Sequence, residues 1–484
     1  MSALWTPSEL LAATGGLLRT PFSATGVSID TRTLKPGDLF VALVGDTDGH
    51  RWVRAALDRG AAGALVHALP GEVADDAPLL AVRDTLEGLR ALAAFARARF
   101  TGKLVAVTGS VGKTTTKEML RAILAAHDRT WAAEASHNNH WGLPLTLARI
   151  PRAAAYCVAE IGMNHAGEIA PLARLARPDV ALITSVEKVH VGNLGSIAAV
   201  ADEKLSIQEG LDAGTLILPR DSAMFDRMRV GAMAAGRGGG AMAAGRGGGA
   251  RYPVRSFGSH PEADDRLIAV RADADGTDLE AMIAGQHVFT RLAAPGAHMA
   301  INAVAALSAA VVLGADPARG AEALRGFMPV SGRGAQRRIA VPGGTALLLD
   351  ESYNASAVAV RAAFAVLALQ PATRRVAVLG DMLELGDFGP AEHAALAPAA
   401  AEAADIVFTC GKLMQHLRDA LPAGLRGAHA ADSAALAPLV AAALRPGDAV
   451  LVKGSLGSRM KFIVDAIDRP PTPRPPWAAS GEAA

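Results

Sequence analysis

Residues 107–119, Val-Thr-Gly-Ser-Val-Gly-Lys-Thr-Thr-Thr-Lys-Glu-Met, restrict the folds open to this chain more than any other stretch. An apolar run at 103–108 leads into them. Residues 120–126 follow with apolar side chains at helical spacing. A strand, a glycine turn and a helix start, in that order, make an anion site. Free backbone N–H groups and the positive end of the helix dipole converge there. Gly109 and Gly112 allow close backbone approach, Lys113 can reach outer phosphates, and the Thr114 or Thr115 hydroxyl can hold Mg²⁺. The full phosphate-loop pattern is missed at one place, where Val107 stands for its first glycine.

Such a loop needs a sheet behind it. Short apolar runs at 104–107, 156–161, 180–186 and 214–218 alternate with helical patterns. That alternation predicts a parallel sheet with helices on both faces, which binds ligands at the carboxyl ends of its strands. This central unit spans about 99–330. Ahead of it, 1–98 hold two strand-like runs around Pro36-Gly37, a helix near 49–59, a strand at 63–67 and a helix near 85–100. Behind it, 331–468 alternate strands at 346–349, 375–379, 406–409 and 449–452 with alanine-rich helices. The expected class is α/β in three units. Within the second, 231–239 recur as 240–248, and the glycine content of this tandem repeat predicts a flexible loop over 231–249. A basic loop using Arg237 and Arg246 is the weaker reading. The proline-rich segment 469–484 is predicted disordered.

Composition excludes several function classes. Basic and acidic residues number 48 and 47, so no global field favours nucleic acid or an anionic membrane. Cys157 and Cys410 lie far apart in apolar runs, which predicts no disulfide framework and a reducing cytoplasm. The first residues lack a basic-then-apolar leader. No apolar run reaches about 18 residues, so no membrane span is expected.

The unusual polar residues fall just after the strands. Glu160 ends one run and is placed to hold Mg²⁺ or to cap a turn. His190 follows another. Lys204 comes 14 residues later on a helical stretch, where an exposed lysine is the plain expectation. Asn302 sits inside a helix opened by Pro295-Gly296, a poor place for asparagine without a hydrogen-bonding partner, backbone or purine. Arg333 stands at the second junction, able to reach a phosphate on closure or simply to be solvated. Asp350 and Lys453 follow strands of the third unit.

Five segments, 108–119, 138–147, 159–168, 350–355 and 379–386, together resemble the Mur ligase family over nearly the whole chain. Gly162-Met-Asn-His165, Ser352-Tyr-Asn-Ala355 and Gly380-Asp-Met-Leu-Glu-Leu-Gly386 resemble the members that add a dipeptide. The resemblance implies a small α/β N-terminal domain, a central P-loop-type ATPase domain and a C-terminal Rossmann-like domain. It implies a cytoplasmic, ATP-dependent amide ligase. Such an enzyme joins D-alanyl-D-alanine to UDP-N-acetylmuramoyl-tripeptide through an acyl phosphate, the last cytoplasmic step of peptidoglycan precursor synthesis. Gathering charged groups and excluding water from the acyl phosphate accounts for a phosphate loop, Mg²⁺ and a closing third domain. By resemblance, Gly109, Ser110, Val111, Gly112, Lys113, Thr114 and Thr115 form the ATP loop. Thr115 and Glu160 are Mg²⁺ positions, and His190 serves a second Mg²⁺. Lys204 is a lysine that becomes carbamylated, which would turn a repelled ammonium into an attracted anion. The catalytic groups implied are Lys113, His190 and Lys204. Asn302 is matched to adenine, Arg333 to the γ-phosphate and Asp350 to ribose or a hinge. Ser28, Asp30, Thr31, Arg32, Asp48, His50, Asn138 and Asn139 are matched to the UDP-substrate region. A monomer is the default.

Some positions depart from the pattern. His140-Trp141 replace an acidic and an aliphatic residue, Met299 replaces asparagine, Thr31 stands where serine is frequent, and Ser356-Ala357 replace Asn-Pro. Two other readings compete. A sister ligase adding one amino acid, or a folylpolyglutamate synthase, would share the loop, but the Asp-Asn-Pro-Arg type of motif is absent. A bare nucleotide switch would need neither Lys204 nor a third domain.

Overall fold

The computed structural model describes residues 3–71, 73–133, 137–235 and 252–468. The repeat from 236 onward, with Arg237 and Arg246, and the tail from 469 lie outside the described residues. Residues 231–235, expected in a loop, instead complete the helix Phe225–Ala235.

Three sheets carry the chain. The first contains β1 (Leu17–Leu18), β2 (Gly26–Ser28), β3 (Asp38–Val41), β4 (Gly63–Val66) and β5 (Leu79–Ala81), in the order β1-β5-β4-β3-β2. β2 to β5 run parallel and β1 antiparallel. The two runs around Pro36-Gly37 are therefore parallel neighbours in the sheet. Every residue of β3 and β4 is buried, as expected of strands covered on both faces. The helix Thr85–Arg99 is capped by the Asp84 carboxylate, with Glu87 in its first turn and Arg97 and Arg99 in its last, each favourable to its dipole.

The central sheet contains β6 (Lys103–Thr108), β7 (Thr130–Ala132), β8 (Tyr156–Glu160), β9 (Val180–Ile183), β10 (Thr215–Pro219), β11 (Val254–Gly258), β12 (Asp265–Ala272), β13 (Thr277–Ile283) and β14 (Gln286–Leu292). Its order is β14-β13-β12-β11-β10-β9-β6-β8-β7. β7 through β12 and β6 form the expected parallel region. The antiparallel end, β12-β13-β14, was not anticipated. Burial alternates along β13, so only half its residues are core, and that weaker pattern lies among charged residues. Leu279, Ala281 and Ile283 pack with Ala300, Ala303 and Val304 of the helix Ala297–Val312. Val105 and Val107 of β6 face this side, while Leu104 and Ala106 face the helices of the other side.

The third sheet contains β15 (Ala335–Val341), β16 (Gly344–Glu351), β17 (Arg374–Gly380), β18 (Ile406–Cys410), β19 (Arg426–Ala430) and β20 (Asp448–Lys453), in the order β15-β16-β20-β17-β18-β19. It is parallel except for the β15–β16 pair. Cys157 and Cys410 are free and buried in separate cores, and burial pushes both thiols up to about 12.

The first two domains share side chains. Leu145 and Ala148 of the helix Gly142–Ala148 belong to the first domain's core, whereas Leu143 and Leu147 belong to the second's. The Trp5 indole donates to the Ala148 carbonyl at 3.0 Å, and the Arg99 guanidinium lies 4.1 Å from the Trp5 ring centroid. The third domain takes Val191, the first residue of the short helix Val191–Leu194 of the central domain, into its own core.

Candidate active site

Gly112 precedes the helix Lys113–Ala125 with φ 84°, a conformation that favours glycine. A Cβ there would overlap the Asn302 side chain, so the loop and the helix Ala297–Val312 meet at this point. Gly109, at φ 146°, packs in the same way on the Thr184 hydroxyl. The loop donors are fewer than the sequence reading supposed. Ser110 N–H donates to the Ser185 carbonyl and Val111 N–H to the Ser185 hydroxyl, each at 2.9 Å. The anion-facing donors are left to the first helical turn from Lys113, whose N–H groups have no intrahelical acceptor. The Lys113 ammonium folds back onto the Gly109 and Ser110 carbonyls, at 2.7 and 3.3 Å. Burial holds its pKa below the usual lysine range, Glu160 opposes that, and Arg333 adds to it. Arg333, from the second junction, thus sits within electrostatic reach of the phosphate loop. Its guanidinium stacks 4.1 Å from the Tyr353 ring centroid.

Glu160 ends β8 beside β6 and is 1% exposed. Thr114 Oγ1 donates to it at 2.9 Å and Asn138 Nδ2 at 2.8 Å. The hydroxyl at Glu160 is therefore that of Thr114, while Thr115, the position matched by resemblance, is half-buried one residue on. Asn139 has a different task. Its side-chain oxygen accepts from Trp141 N and Gly142 N, at 3.2 and 2.9 Å, and holds the start of the helix Gly142–Ala148.

His190 adopts φ 60° just before the helix Val191–Leu194. Its Nδ1 lies 2.5 Å from Glu384 Oε2 of the third domain. His190 holds the Glu384 carboxyl below the usual range, against the effect of burial. Lys204 overturns the plain expectation of an exposed helix lysine, for it is 1% exposed. Burial, then the Lys113 charge, hold its amine well below the usual lysine range. The neighbouring Glu203 carboxylate is engaged by the N–H groups of Gly167 and Ile169, at 2.7 and 2.9 Å.

Asp350 is fully committed to the junction. It accepts from Ser331 Oγ at 2.9 Å and Ser352 Oγ at 2.6 Å, with Arg337 at 3.5 Å. Burial pushes its carboxyl up, but these hydrogen bonds outweigh it and the net direction is down. These bonds tie residues 331 and 337 at the junction to the end of β16.

The first-domain candidates lie at and beyond the carboxyl ends of β2 and β3. Ser28 is buried and donates to the Asp30 carbonyl at 3.0 Å, and the Asp30 carboxylate takes the Arg32 guanidinium at 2.6 Å. Thr31 accepts from Arg59 through its carbonyl. Asp48 Oδ1 accepts from His50 N at 2.9 Å and lies 2.7 Å from His50 Nδ1. His50 Nε2 accepts from His67 N at 3.0 Å, so the proton resides on Nδ1.

Among the described residues, no three His, Cys, Asp or Glu side chains form a ready-made metal cage. Mg²⁺ in nucleotide sites takes one or two protein oxygens and completes its shell with phosphate and water. The Glu160–Thr114 pair, two hard oxygen donors beside a phosphate loop, fits that need. The sequence alone assigns no role to Glu384, within 379–386, or to Thr184 and Ser185. Their sequence signals are slight: Glu384 stands between two leucines shortly before Gly386, and Thr184 and Ser185 are hydroxyls after a strand.

A phosphate loop on a doubly covered sheet, with a third domain bringing cationic and acidic groups to it, defines an ATP-using ligase of three domains. The Mur ligase middle domain matches residues 107–310 and the Mur ligase glutamate ligase domain matches 337–456; the chain belongs to the Mur ligase family. It is 34% identical to the UDP-N-acetylmuramoyl-tripeptide–D-alanyl-D-alanine ligase of Escherichia coli K12, over 94% of this chain and 96% of that one. It is 32% identical to the Bacillus subtilis enzyme of the same name, over 92% and 93%. The crystal structure of MurF from Acinetobacter baumannii superposes with a TM-score of 0.80, at 27% identity over 96% of this chain and 99% of that one.

Proposed function

We propose that this chain joins D-alanyl-D-alanine to the terminal carboxylate of UDP-N-acetylmuramoyl-tripeptide, driven by ATP. The observation that carries the reading is the meeting of three elements at one place. Lys113 of the phosphate loop, the buried Lys204, and Arg333 and Glu384 from the junction and third domain share one electrostatic neighbourhood. A nucleotide switch needs no such convergence. The likeness to relatives named for this reaction, spread over more than nine-tenths of the chain, favours it over a sister ligase.

In this reading the first domain, residues 1–98, holds the UDP-sugar at 28–32 and 48–50. The helix start at Lys113 binds the ATP phosphates, and Asn302, packed on Gly112 of the loop, is assigned to the base by resemblance. Glu160 and Thr114 would hold Mg²⁺, with His190 and Lys204 near a second ion. The metal supplies charge neutralisation of phosphate oxygens when bound. The tripeptide carboxylate attacks the γ-phosphorus and ADP leaves. The dipeptide amine then attacks the acyl carbon, and phosphate departs from the tetrahedral intermediate. Lys113 and Arg333 stabilise the charge that builds on the transferred group. Docking of the third domain excludes water from the acyl phosphate.

We also propose that Lys204 is carbamylated. Burial and the nearby Lys113 charge lower the pKa of this amine, a shift that favours its neutral, nucleophilic form. Its nitrogen adds to CO₂ and releases one proton, and the resulting anion suits a metal and the nearby Lys113. The test of the main reading is phosphate release from ATP and Mg²⁺ with UDP-muramoyl-tripeptide, with and without D-alanyl-D-alanine, with the product weighed. Release that needs both and yields the pentapeptide supports it. ATP hydrolysis indifferent to both would sink it.

A further inference from the structure

Trp141 departs from the family pattern and has no role in the reaction described above. Its surroundings give it one. It stands at the entry to the helix Gly142–Ala148, the element shared by the cores of the first two domains, and it packs against the first domain's core. The far edge of its indole rests on Gly45 so closely that a Cβ at that position would overlap the ring. Gly45 carries no positive φ, so backbone conformation does not demand glycine there; the indole does.

Gly45 lies in a tight loop. Val44 and Asp48 bridge across it, Gly45 N–H donates to the Thr47 carbonyl at 3.2 Å, and Gly49 N–H donates to the Leu43 carbonyl at 2.8 Å. Asp48 then fixes His50, and His50 fixes the backbone at His67. On the other side of Trp141, its N–H is held by Asn139. The adjacent Asn138 donates to Glu160, which in turn accepts from Thr114 of the phosphate loop. One chain of contacts therefore runs from the loop 44–48 through Trp141 to the nucleotide site.

We propose that Trp141 is a positioning residue for the UDP-linked substrate: its indole props the loop 44–48 and so sets the position of Asp48, the residue of that loop matched to the UDP-substrate region. This rests on the reading that the first domain holds the UDP-sugar. An aliphatic side chain at 141 is too short to reach Gly45 in this way.

Titration calorimetry tests it on the full chain, with UDP-N-acetylmuramoyl-tripeptide and ATP as separate probes. Gly45→Ala and Trp141→Ala each weaken binding of the UDP substrate roughly tenfold, because a small displacement of a positioned group is costly. ATP binding stays at the wild-type value in both. The double variant binds no worse than Trp141→Ala alone, since the added methyl then has nothing to strike. Trp141→Phe, which keeps a ring on Gly45, retains most of the affinity. Single variants with wild-type affinity, or losses that add in the double variant, overturn the proposal. So does loss of ATP binding in step with the UDP substrate, which would mark general disruption. A wild-type chain that binds ATP but no UDP substrate defeats the first-domain reading itself, and the prop with it.

Discussion

His190 of the central domain and Glu384 of the third approach within 2.5 Å, and the two loops that carry them touch backbone to backbone at Gly192 and Gly386. Any Cβ on Gly192 would strike the 384–386 backbone. Lys188 and Glu392 add an ion pair at 3.0 Å on the same seam. The position of the third domain is thereby coupled to the orientation of a histidine beside the phosphate loop.

On the proposal that His190 serves a metal, Glu384→Ala should lower kcat about tenfold to a hundredfold, as loss of a carboxylate beside a metal-side histidine does, with little change in KM for ATP. Gly192→Ala should reproduce the deficit with Glu384 intact, by holding the loops apart. Steady-state kinetics, with small-angle scattering to follow domain docking, checks both. Wild-type kcat in either variant would show the seam to be incidental.

Activity should depend on dissolved CO₂. In degassed, bicarbonate-free buffer the wild-type rate should fall, and added bicarbonate should restore it. Lys204→Ala should be slow in both buffers. Nuclear magnetic resonance of protein equilibrated with labelled CO₂ should show one carbamate signal missing from the variant. An unmodified, fully active wild type would refute carbamylation.

Gly112→Ala should impair nucleotide binding more than folding. The substitution forces an L-residue to φ 84° and drives a methyl into Asn302, a backbone cost of about 1–2 kcal/mol before the clash is counted. ATP affinity should drop at least tenfold while the melting temperature shifts by a few degrees; calorimetry of both resolves the two effects.

Acid should loosen the join of the first two domains through Glu9. Burial would raise its pKa, but Arg152, bonded at 2.6 Å, and Thr6 lower it from 4.5 to about 2. A depressed folded pKa means that the stabilisation is complete above the unfolded value and is lost as pH falls through the folded one. The melting temperature of Glu9→Gln should thus lie below wild type at neutral pH, and the gap should close between pH 4.5 and 2. A gap independent of pH would assign the effect to packing alone.

The phosphate loop, the three α/β units and the family were legible in the sequence because each rests on local order. Fully buried parallel strands such as β6 read as unbroken apolar runs, and the loop's glycines and lysine lie within a few residues of one another. The antiparallel end of the central sheet was not legible, because β13 buries only alternate residues. Lys204 gave no local sign of burial; only the packing of its helix removes it from water. Which threonine meets Glu160, which asparagine caps a helix, and the pairings of His190 with Glu384 and Trp141 with Gly45 were settled by tertiary structure alone. These partners come from separate elements or adjacent, chemically equivalent residues. Sequence specifies the chemical groups available, but the distances and directions that pair them arise only when the sheets, helices and domains pack.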